Sequence, residues 1–372
     1  MLTYKFRIYP KKAQITTMNK WLEECRMLYN NFLAQRKSGW ENEKKSFTLY
    51  DQLNLLPELK RTFPKLKMVH SQVLQNVGMR IDLAYAAFFR RLKNHEKPGY
   101  PRFKGYGRYD SFCYPCCVDI KVADESIKLP KIGEINWIKH RKIDGELKTA
   151  TVKRKNDKWF VYLVTDFANT KNYGISDKTV AIDVGIKTFA TLSDGNNIQN
   201  PRFFETKQKE LAKKQRRFQK ARDSKNKSRI KKTKRAVSKI HEKIKNSRHN
   251  FVHQQTKHLT KNYKIIIVED INANEMLKKK WCNKQILDAA WGSFLNILTS
   301  KAECAGRKVI KVNPAYTSQT CSKCGTRTLH ELKDRIFNCS CGFSSDRDEN
   351  ASFNILRLGL QSLDKLAQAN KS

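Results

Sequence analysis

The chain has 372 residues, with 75 Lys or Arg against 35 Asp or Glu, a formal net charge of +40. That length is enough for two or three domains with real cores, and a charge that large seeks phosphates, nucleic acid above all. No apolar run approaches the roughly 20 residues of a membrane span. The first residues, MLTYKFRIYP, lack the apolar core of a signal peptide, so no membrane partner and a cytoplasmic, reducing setting are expected.

Residues 2–9 alternate as a strand, with Tyr4, Phe6 and Ile8 on one face. A helix is predicted over about 11–36, its apolar stripe carried by Ile15, Met18, Leu22, Cys25, Tyr29 and Phe32. A second begins near Ser71, read as its N-cap, with Leu74, Val77, Ile81, Ala84, Phe88 and Leu92 as a buried stripe. From Lys97 to about Thr170 the texture changes. A loop, KPGYPRFKG, precedes short alternating runs (VDIKV, SIKLP, EINWI, KTATVKRK, KWFVYLV), and Asn156-Asp157 turns between the last two. Several short strands separated by turns argue a small β-barrel or sandwich, to which residues 1–9 add a strand. Cys113, Cys116 and Cys117 lie here without a second pair nearby and read as buried thiols.

After Asn172, KTVAIDVGIKTFATLSDGN reads as a hairpin of buried strands, with Asp183 interrupting the apolar run of the first. A lone Asp inside a buried strand is costly unless it is paired or ligates a metal. Residues 206–249 carry 19 Lys or Arg against three acidic residues and read as a basic helical hairpin. On its second helix Val237, Ile240, Ile244 and Phe251 form the packing stripe. His249 and His253 fall on the polar face and His258 returns toward the stripe, as a packed histidine. The run IIIV at 265–268 is a strand of the kind buried on both faces, ending in Glu269-Asp270. Adjacent strand residues point to opposite faces, so one of these two is expected to share a site with Asp183. A helix over 285–305 with Leu287, Trp291, Phe294 and Leu298 inward, then a strand at 309–313, lead to the last segment.

That segment joins two pieces of chemistry. Cys321, Cys324, Cys339 and Cys341 stand as C-x2-C-x14-C-x-C, which suits one structural, tetrahedral zinc ion more than disulfides in a reducing compartment. Asp346-Arg347-Asp348-Glu349-Asn350 then opens a helix, where Asp either caps the N-terminus or ligates a metal. Asp183, Glu269 and Asp346 or Asp348 come from separate elements, as hard-cation sites are assembled. Carboxylate oxygens suit Mg²⁺ or Mn²⁺, and two such ions can cleave a phosphodiester.

The motifs AIDVGIKTFATLSDG (181–195), IIIVEDINANEM (265–276), YTSQTCSKCG (316–325), FNCSCGF (337–343) and DRDENASFNIL (346–356), with GYPRFK (99–104), resemble the TnpB family in that family's order. These proteins are transposon-encoded RNA-guided nucleases related to compact type V CRISPR effectors. The resemblance implies an α+β multidomain protein. A wedge β-barrel would span 1–10 and 97–172, and a helical recognition lobe 11–96. A RuvC-like nuclease domain of RNase H fold would span 173–317 and 345–360, a zinc ribbon 318–344, and a disordered tail 361–372. It also implies catalytic Asp183, Glu269 and Asp348, holding two Mg²⁺ or Mn²⁺ ions. The expected partners are a guide RNA from the transposon end and a double-stranded DNA target, cut next to a short transposon-adjacent motif. No protein oligomer is implied. Candidate nucleic-acid contacts are Tyr50, Gln72 and Gln75, by loose positional match, and the basic residues Arg102, Lys104, Arg216 and Arg217. The sequence departs from the common family pattern in its C-x-C pair and in DENAS where many members have Ala-Ala after the Asn; neither touches a carboxylate. A nuclease-dead repressor of the same family would have lost carboxylates that are all present here, and a single-strand transposase would need an H-x-H pair that none of the eight histidines forms.

Overall fold

The computed structural model describes residues 1–166, 174, 176–271, 276, 282–329 and 334–369. The chain divides into two units, Met1–Ala168 and Asn169–Ser372.

In the first unit the alternation of residues 2–9 becomes strand β1 (Leu2–Tyr9), with Tyr4, Phe6 and Ile8 buried. Helix α1 (Lys12–Glu43) runs seven residues past the predicted end. Its buried stripe continues through Leu33 to Arg36 and Gly39. Arg36 donates to Gln52 Oε1 at 2.9 Å and Asp82 Oδ1 at 3.2 Å, a satisfied buried cation that a count of apolar residues does not detect. Short helices α2 (Leu49–Asn54) and α3 (Leu56–Thr62) and a 3₁₀ turn at Pro64–Met68 lead to α4 (Ser71–Lys93). Two expectations for α4 are corrected. Its N-cap is His70, and the Ser71 hydroxyl accepts from Lys60 Nζ at 2.9 Å instead of capping. The stripe is buried only as far as Ile81; Ala84 and Phe88 are half-buried and Leu92 is exposed, because the end of the helix runs beyond the core.

The remaining strands are β2 (Ser111–Tyr114), β3 (Lys121–Val122), β4 (Ser126–Leu129), β5 (Gly133–Trp137), β6 (Glu146–Lys155) and β7 (Lys158–Asp166). They pair antiparallel in the order β2-β6-β7-β1-β5-β4-β3, with β1 in the middle. Among the described residues the pairing ends at β2 and β3, so in hydrogen-bonding terms this is an open sheet, where a closed barrel was one expectation. Asn156 and Asp157 both take left-handed φ, 48° and 59°, the pattern of a type I′ turn whose twist matches the flanking strands. One core joins sheet and helices, with the Trp21 ring of α1 edge-on to Phe112 of β2 at 5.4 Å. Of the three thiols here, only Cys117 is buried; Cys113 is half-buried and Cys116 exposed.

The second unit is built on β8 (Thr179–Val184), β9 (Thr188–Leu192), β10 (Asn197–Gln199), β11 (Ile265–Glu269) and β12 (Lys308–Val312), in the order β10-β9-β8-β11-β12. The first three strands form an antiparallel meander, and β11 and β12 run parallel to β8. Helices α5 (Phe203–Asp223) and α6 (Lys227–Asn262) lie between β10 and β11, and α7 (Asn283–Ala289) and α8 (Trp291–Cys304) between β11 and β12. A two-stranded hairpin, β13 (Ile336–Asn338) with β14 (Ser344–Asp346), precedes the last helix, α9 (Arg347–Ala369). The predicted tail from 361 is thus helix as far as Ala369; 370–372 lie outside the described residues.

The sheet has two distinct faces. Val180, Ile182, Ile266 and Val268 pack with Val252 and Leu259 of α6 and Phe294 and Leu298 of α8. Ala181, Ile267, Ile310 and Val312 pack with Ile355 of α9. Period-two alternation assigns odd-numbered residues of β8 and β11 to the α9 side. Helix and sheet approach so closely at Gly359 that an added Cβ would lie 2.4 Å from Ile267 Cδ1 and 2.5 Å from its Cγ2. Ala is the better helix former by up to about 1 kcal/mol, but overpacking against a buried Ile costs about 1–3 kcal/mol, and the clash wins. Gly359→Ala should therefore lower stability, read as a lower denaturant midpoint at unchanged m.

Two further expectations are corrected here. The helix predicted over 285–305 is broken at Ala290, which is left-handed at φ 55°, so that Ile286 and Ala289 turn inward and Leu287 is exposed. His258 is exposed, with Asn262 Nδ2 3.0 Å from its Nε2. Helix α6 changes partner along its length: Val237, Ile240 and Ile244 pack on Leu211 of α5, whereas Val252 and Leu259 pack on the sheet. The buried face therefore turns by roughly 90° between the two halves, at 100° per residue, and carries His258 out to solvent.

Candidate active site

Asp183 is the fifth residue of β8 and Glu269 the last of β11. The parallel register pairs Ile182 with Val268, so the next residues along, Asp183 and Glu269, sit side by side and point to the face that α9 covers. Asp270 points the other way and is ion-paired with Lys311 at 2.9 Å near the surface. Asp348 is the second residue of α9. Just past Asp183, Gly185 ends the strand where a Cβ would meet the Thr188 carbonyl oxygen at 2.8 Å, and Asp348 Oδ2 lies 3.7 Å from that Cβ position. The closeness of the Thr188 carbonyl is what requires glycine at this turn, and Asp348 lies against the same turn at the end of β8.

The electrostatics agree with this grouping. Burial pushes the Asp183 carboxyl well above the usual carboxylate range, and the charges of Glu269 and Asp348 push it further, partly offset by Arg347. Burial also raises Glu269, against a lowering hydrogen bond from Thr317, whose Oγ1 donates to Glu269 Oε1 at 2.6 Å. Asp348 is raised by burial and by Asp346, with Arg335, Arg347 and Lys187 pulling it down. Burial raises all three carboxyls and Asp183 also feels the charge of the other two, so a hard cation would relieve the pocket, and oxygen donors match Mg²⁺ or Mn²⁺. The donor set therefore fits such ions. Asp346 serves differently: it is exposed on β14, and its Oδ1 accepts the Asp348 amide at 2.8 Å, capping the start of α9.

The four cysteines form a second group, with all four sulfurs within 4.8 Å of one another. Among the described residues it is the one cluster of three or more His, Cys, Asp or Glu that close. Cys321 and Cys341 Sγ are 3.8 Å apart, and Cys324 and Cys339 Sγ 3.5 Å. A tetrahedral zinc with bonds of about 2.3 Å needs sulfurs roughly 3.8 Å apart, so the geometry fits in spite of the short C-x-C pair. The Thr326 hydroxyl and amide draw the Cys324 thiol down to about 6. At Cys341 the Phe343 amide lowers, but the neighbouring sulfurs outweigh it and push the thiol up to about 11. Four thiols so close cannot all ionise without a cation among them.

Polar side chains that sequence patterns passed over tie the two groups together. Asn350 and Asn354, one helical turn apart on α9, are 0% and 1% exposed. Asn354 Nδ2 donates to the carbonyls of Thr317 (2.9 Å) and Thr320 (2.6 Å); Asn350 Nδ2 donates to Thr320 at 2.8 Å, and Asn350 Oδ1 accepts the Ser322 amide at 2.9 Å. The available signal was two Asn four apart in a helix that does not favour Asn.

The candidate nucleic-acid residues are scattered by comparison. Arg216 and Arg217 are exposed on α5. In the first unit Tyr50 on α2 and Gln75 on α4 are exposed, Gln72 is half-buried and Arg102 is exposed in its loop. Lys104 is half-buried, its amide donating to Asn30 Oδ1 at 2.8 Å and its ammonium 5.4 Å from the centre of the Tyr29 ring. Of the motif at 265–276, residues 272–275 lie outside the described residues.

Comparison with known proteins adds three partial family matches. Residues 1–45 match a model described as "Helix-turn-helix domain", residues 150–280 one described as "Probable transposase" and residues 291–355 one described as "Cas12f1-like, TNB domain". In this structure residues 1–45 hold one strand and one continuous helix, with no turn between two helices. The "Putative RNA-guided DNA endonuclease InsQ" of Escherichia coli (strain K12) is 31% identical over 96% of this chain and 92% of its own length. A "Putative RNA-guided DNA endonuclease" of Streptomyces pristinaespiralis is 29% identical over 96% and 89%. In fold the chain resembles a protein solved in a Cas12f1–sgRNA–target DNA complex, at a TM-score of 0.58 and 16% identity over 91% of this chain and 81% of that one. No helix among the described residues is long and apolar enough to cross a membrane. With motifs in family order, an α+β fold like a compact Cas12 effector and near-full-length relatives, the chain belongs to the TnpB family.

Proposed function

We propose that this protein is a transposon-encoded, RNA-guided DNA endonuclease that hydrolyses phosphodiester bonds at Asp183, Glu269 and Asp348. The observation that carries this reading is the meeting of the three carboxyls, from β8, β11 and α9, on one face of the second sheet. That sheet, three antiparallel strands followed by two parallel to the first, supports an RNase H-like, RuvC-type nuclease domain, and the cysteine hairpin before α9 supports an inserted zinc ribbon. The open sheet and helices of the first unit support a wedge and recognition lobe. When bound, two Mg²⁺ or Mn²⁺ ions would supply an activated water and charge stabilisation for the leaving oxygen. The chain's part is to hold three carboxylates at fixed spacing from rigid elements, and Arg347 and Lys187 keep the pocket from being wholly anionic. A guide RNA from the transposon end would choose the target, and the cut would fall next to a short transposon-adjacent motif.

The exposed cations of α5 and α6, Arg216 and Arg217 among them, suit a phosphate backbone. RNA affinity should fall with salt at a log–log slope of about 0.7–0.9 per phosphate neutralised. The test is expression beside the neighbouring noncoding region, then sequencing of the copurifying RNA and cleavage of a plasmid carrying its complement. One discrete RNA and guide-dependent, Mg²⁺-dependent cutting are expected. Heterogeneous RNA released by moderate salt, with no cutting, would overturn the reading.

A further inference from the structure

We propose that Thr317 is a positioning residue for Glu269, locked in place by Asn350 and Asn354, so that the cysteine knuckle sets the spacing of Glu269 and Asp348. This rests on the nuclease reading and adds a role for residues outside the carboxylate triad. Thr317 is itself buried, and its hydroxyl hydrogen has two acceptors in reach, Glu269 Oε1 at 2.6 Å and the Pro314 carbonyl at 3.2 Å. The shorter, charge-assisted bond dominates. A Glu at a strand end has three side-chain torsions to settle, and this bond fixes one carboxylate oxygen and with it the direction of the other.

Thr317 in turn has little freedom. Its carbonyl accepts from Asn354, and three residues on, the Thr320 carbonyl accepts from both Asn354 and Asn350. The Ser322 amide, inside the first cysteine pair, donates back to Asn350. Asn350 and Asn354 ride on the helix whose first turn carries Asp348. A continuous chain of hydrogen bonds thus runs from Glu269 through Thr317 to α9 and to the loop that begins at Cys321. The Nδ2 groups of both asparagines and the Oδ1 of Asn350 are satisfied by this loop, while Asn354 Oδ1 accepts from Arg357 of α9 at 3.1 Å. The link is rigid, because a shift of the loop would leave several of these groups without partners.

The full-length, zinc-loaded chain is compared as wild type, Thr317→Val, which is nearly isosteric but lacks the hydroxyl, and Thr317→Ser, which keeps it. Mn²⁺ binding is followed by calorimetry, and cleavage of a matched plasmid with guide RNA is titrated against Mg²⁺. Zinc content and the thermal midpoint are read on the same samples. Loss of an outer partner of a metal ligand typically weakens the metal 10–100-fold. Thr317→Val should therefore bind Mn²⁺ about 10-fold or more weakly and need correspondingly more Mg²⁺, at one zinc per chain and unchanged DNA binding, with Thr317→Ser restoring both. Were Thr317→Val to lose its zinc, Thr317→Ala, which deletes the same hydroxyl with less buried bulk, carries the comparison. Wild-type Mn²⁺ affinity in the zinc-loaded hydroxyl-deleted protein, or loss of affinity in Thr317→Ser, overturns the inference. Asp183→Asn separates it from the reading beneath it. If Asp183→Asn binds Mn²⁺ as wild type does, the nuclease reading itself fails; if it loses the site while Thr317→Val keeps it, only the positioning role fails.

Discussion

Asp348→Asn is expected to lower cleavage of a plasmid carrying target and motif by at least about 100-fold, while guide RNA and DNA still bind. The bound on the size comes from comparison: losing an outer-shell partner of a metal already costs 10–100-fold, and Asp348 is proposed as a direct ligand. Its Oδ2 lies by the end of β8, where it raises Asp183, and the change keeps the shape of the side chain while removing its charge. The control lies two residues away. Asp346 accepts the Asp348 amide and caps α9, and Asn caps about as well as Asp. Asp346→Asn also removes a charge that raises Asp348, so it should cut at close to the wild-type rate. A gel shift on the same DNA separates binding from chemistry. A dead Asp346→Asn beside a fully active Asp348→Asn would reverse the assignment.

The second large effect is expected from Cys324→Ser. The wild-type chain should carry one zinc by elemental analysis and the variant close to none, because three thiolates and a hydroxyl no longer make a closed site. In small metal modules the affinity for the ion is folding energy, so the segment around the cysteines should become protease-sensitive. Through Thr317, Asn350 and Asn354 the loss should reach the carboxylates, and cleavage should fall at saturating Mg²⁺ by more than DNA binding does. Pure, folded wild-type protein free of zinc would remove the claim, and a zinc-free Cys324→Ser that cuts normally would sever the knuckle from the site.

The carboxylates were legible because each violates a local pattern. A charge in the run VAIDV stands out against its neighbours, and Glu269 ends a run of four apolar residues. Alternation said that only one of Glu269 and Asp270 could share a face with Asp183, the family resemblance pointed to Glu269, and the structure places the two on opposite faces. The cysteines were legible from spacing. What failed depends on partners that a linear reading does not contain. The burial of Arg36 needs Gln52 and Asp82, the exposure of His258 follows from a helix that changes partner midway, and the break at Ala290 puts an alanine in a left-handed conformation that its type does not announce. Likewise Thr317, Asn350 and Asn354 read as ordinary polar residues until the chain folds back and buries them together.

The apolar cover of the sheet face that carries Asp183 and Glu269 comes, among the described residues, from α9, and this bears on how the protein is made. About 165 residues separate Asp183 from Asp348, which at 5–20 residues per second is on the order of ten to thirty seconds of synthesis. Until α9 is made, Ala181, and then Ile267 and Ile310 as each is added, lack their cover from that helix, and Asp183 and Glu269 lack Asp348. A nascent chain can already present the basic hairpin α5–α6 to RNA while it is still unable to cut. On the proposed reading of Asp348 as a metal ligand and α5–α6 as an RNA surface, the order of translation would keep the nuclease inert until a guide has had time to load, and ribosomes stalled before α9 would release fragments with no cleavage activity.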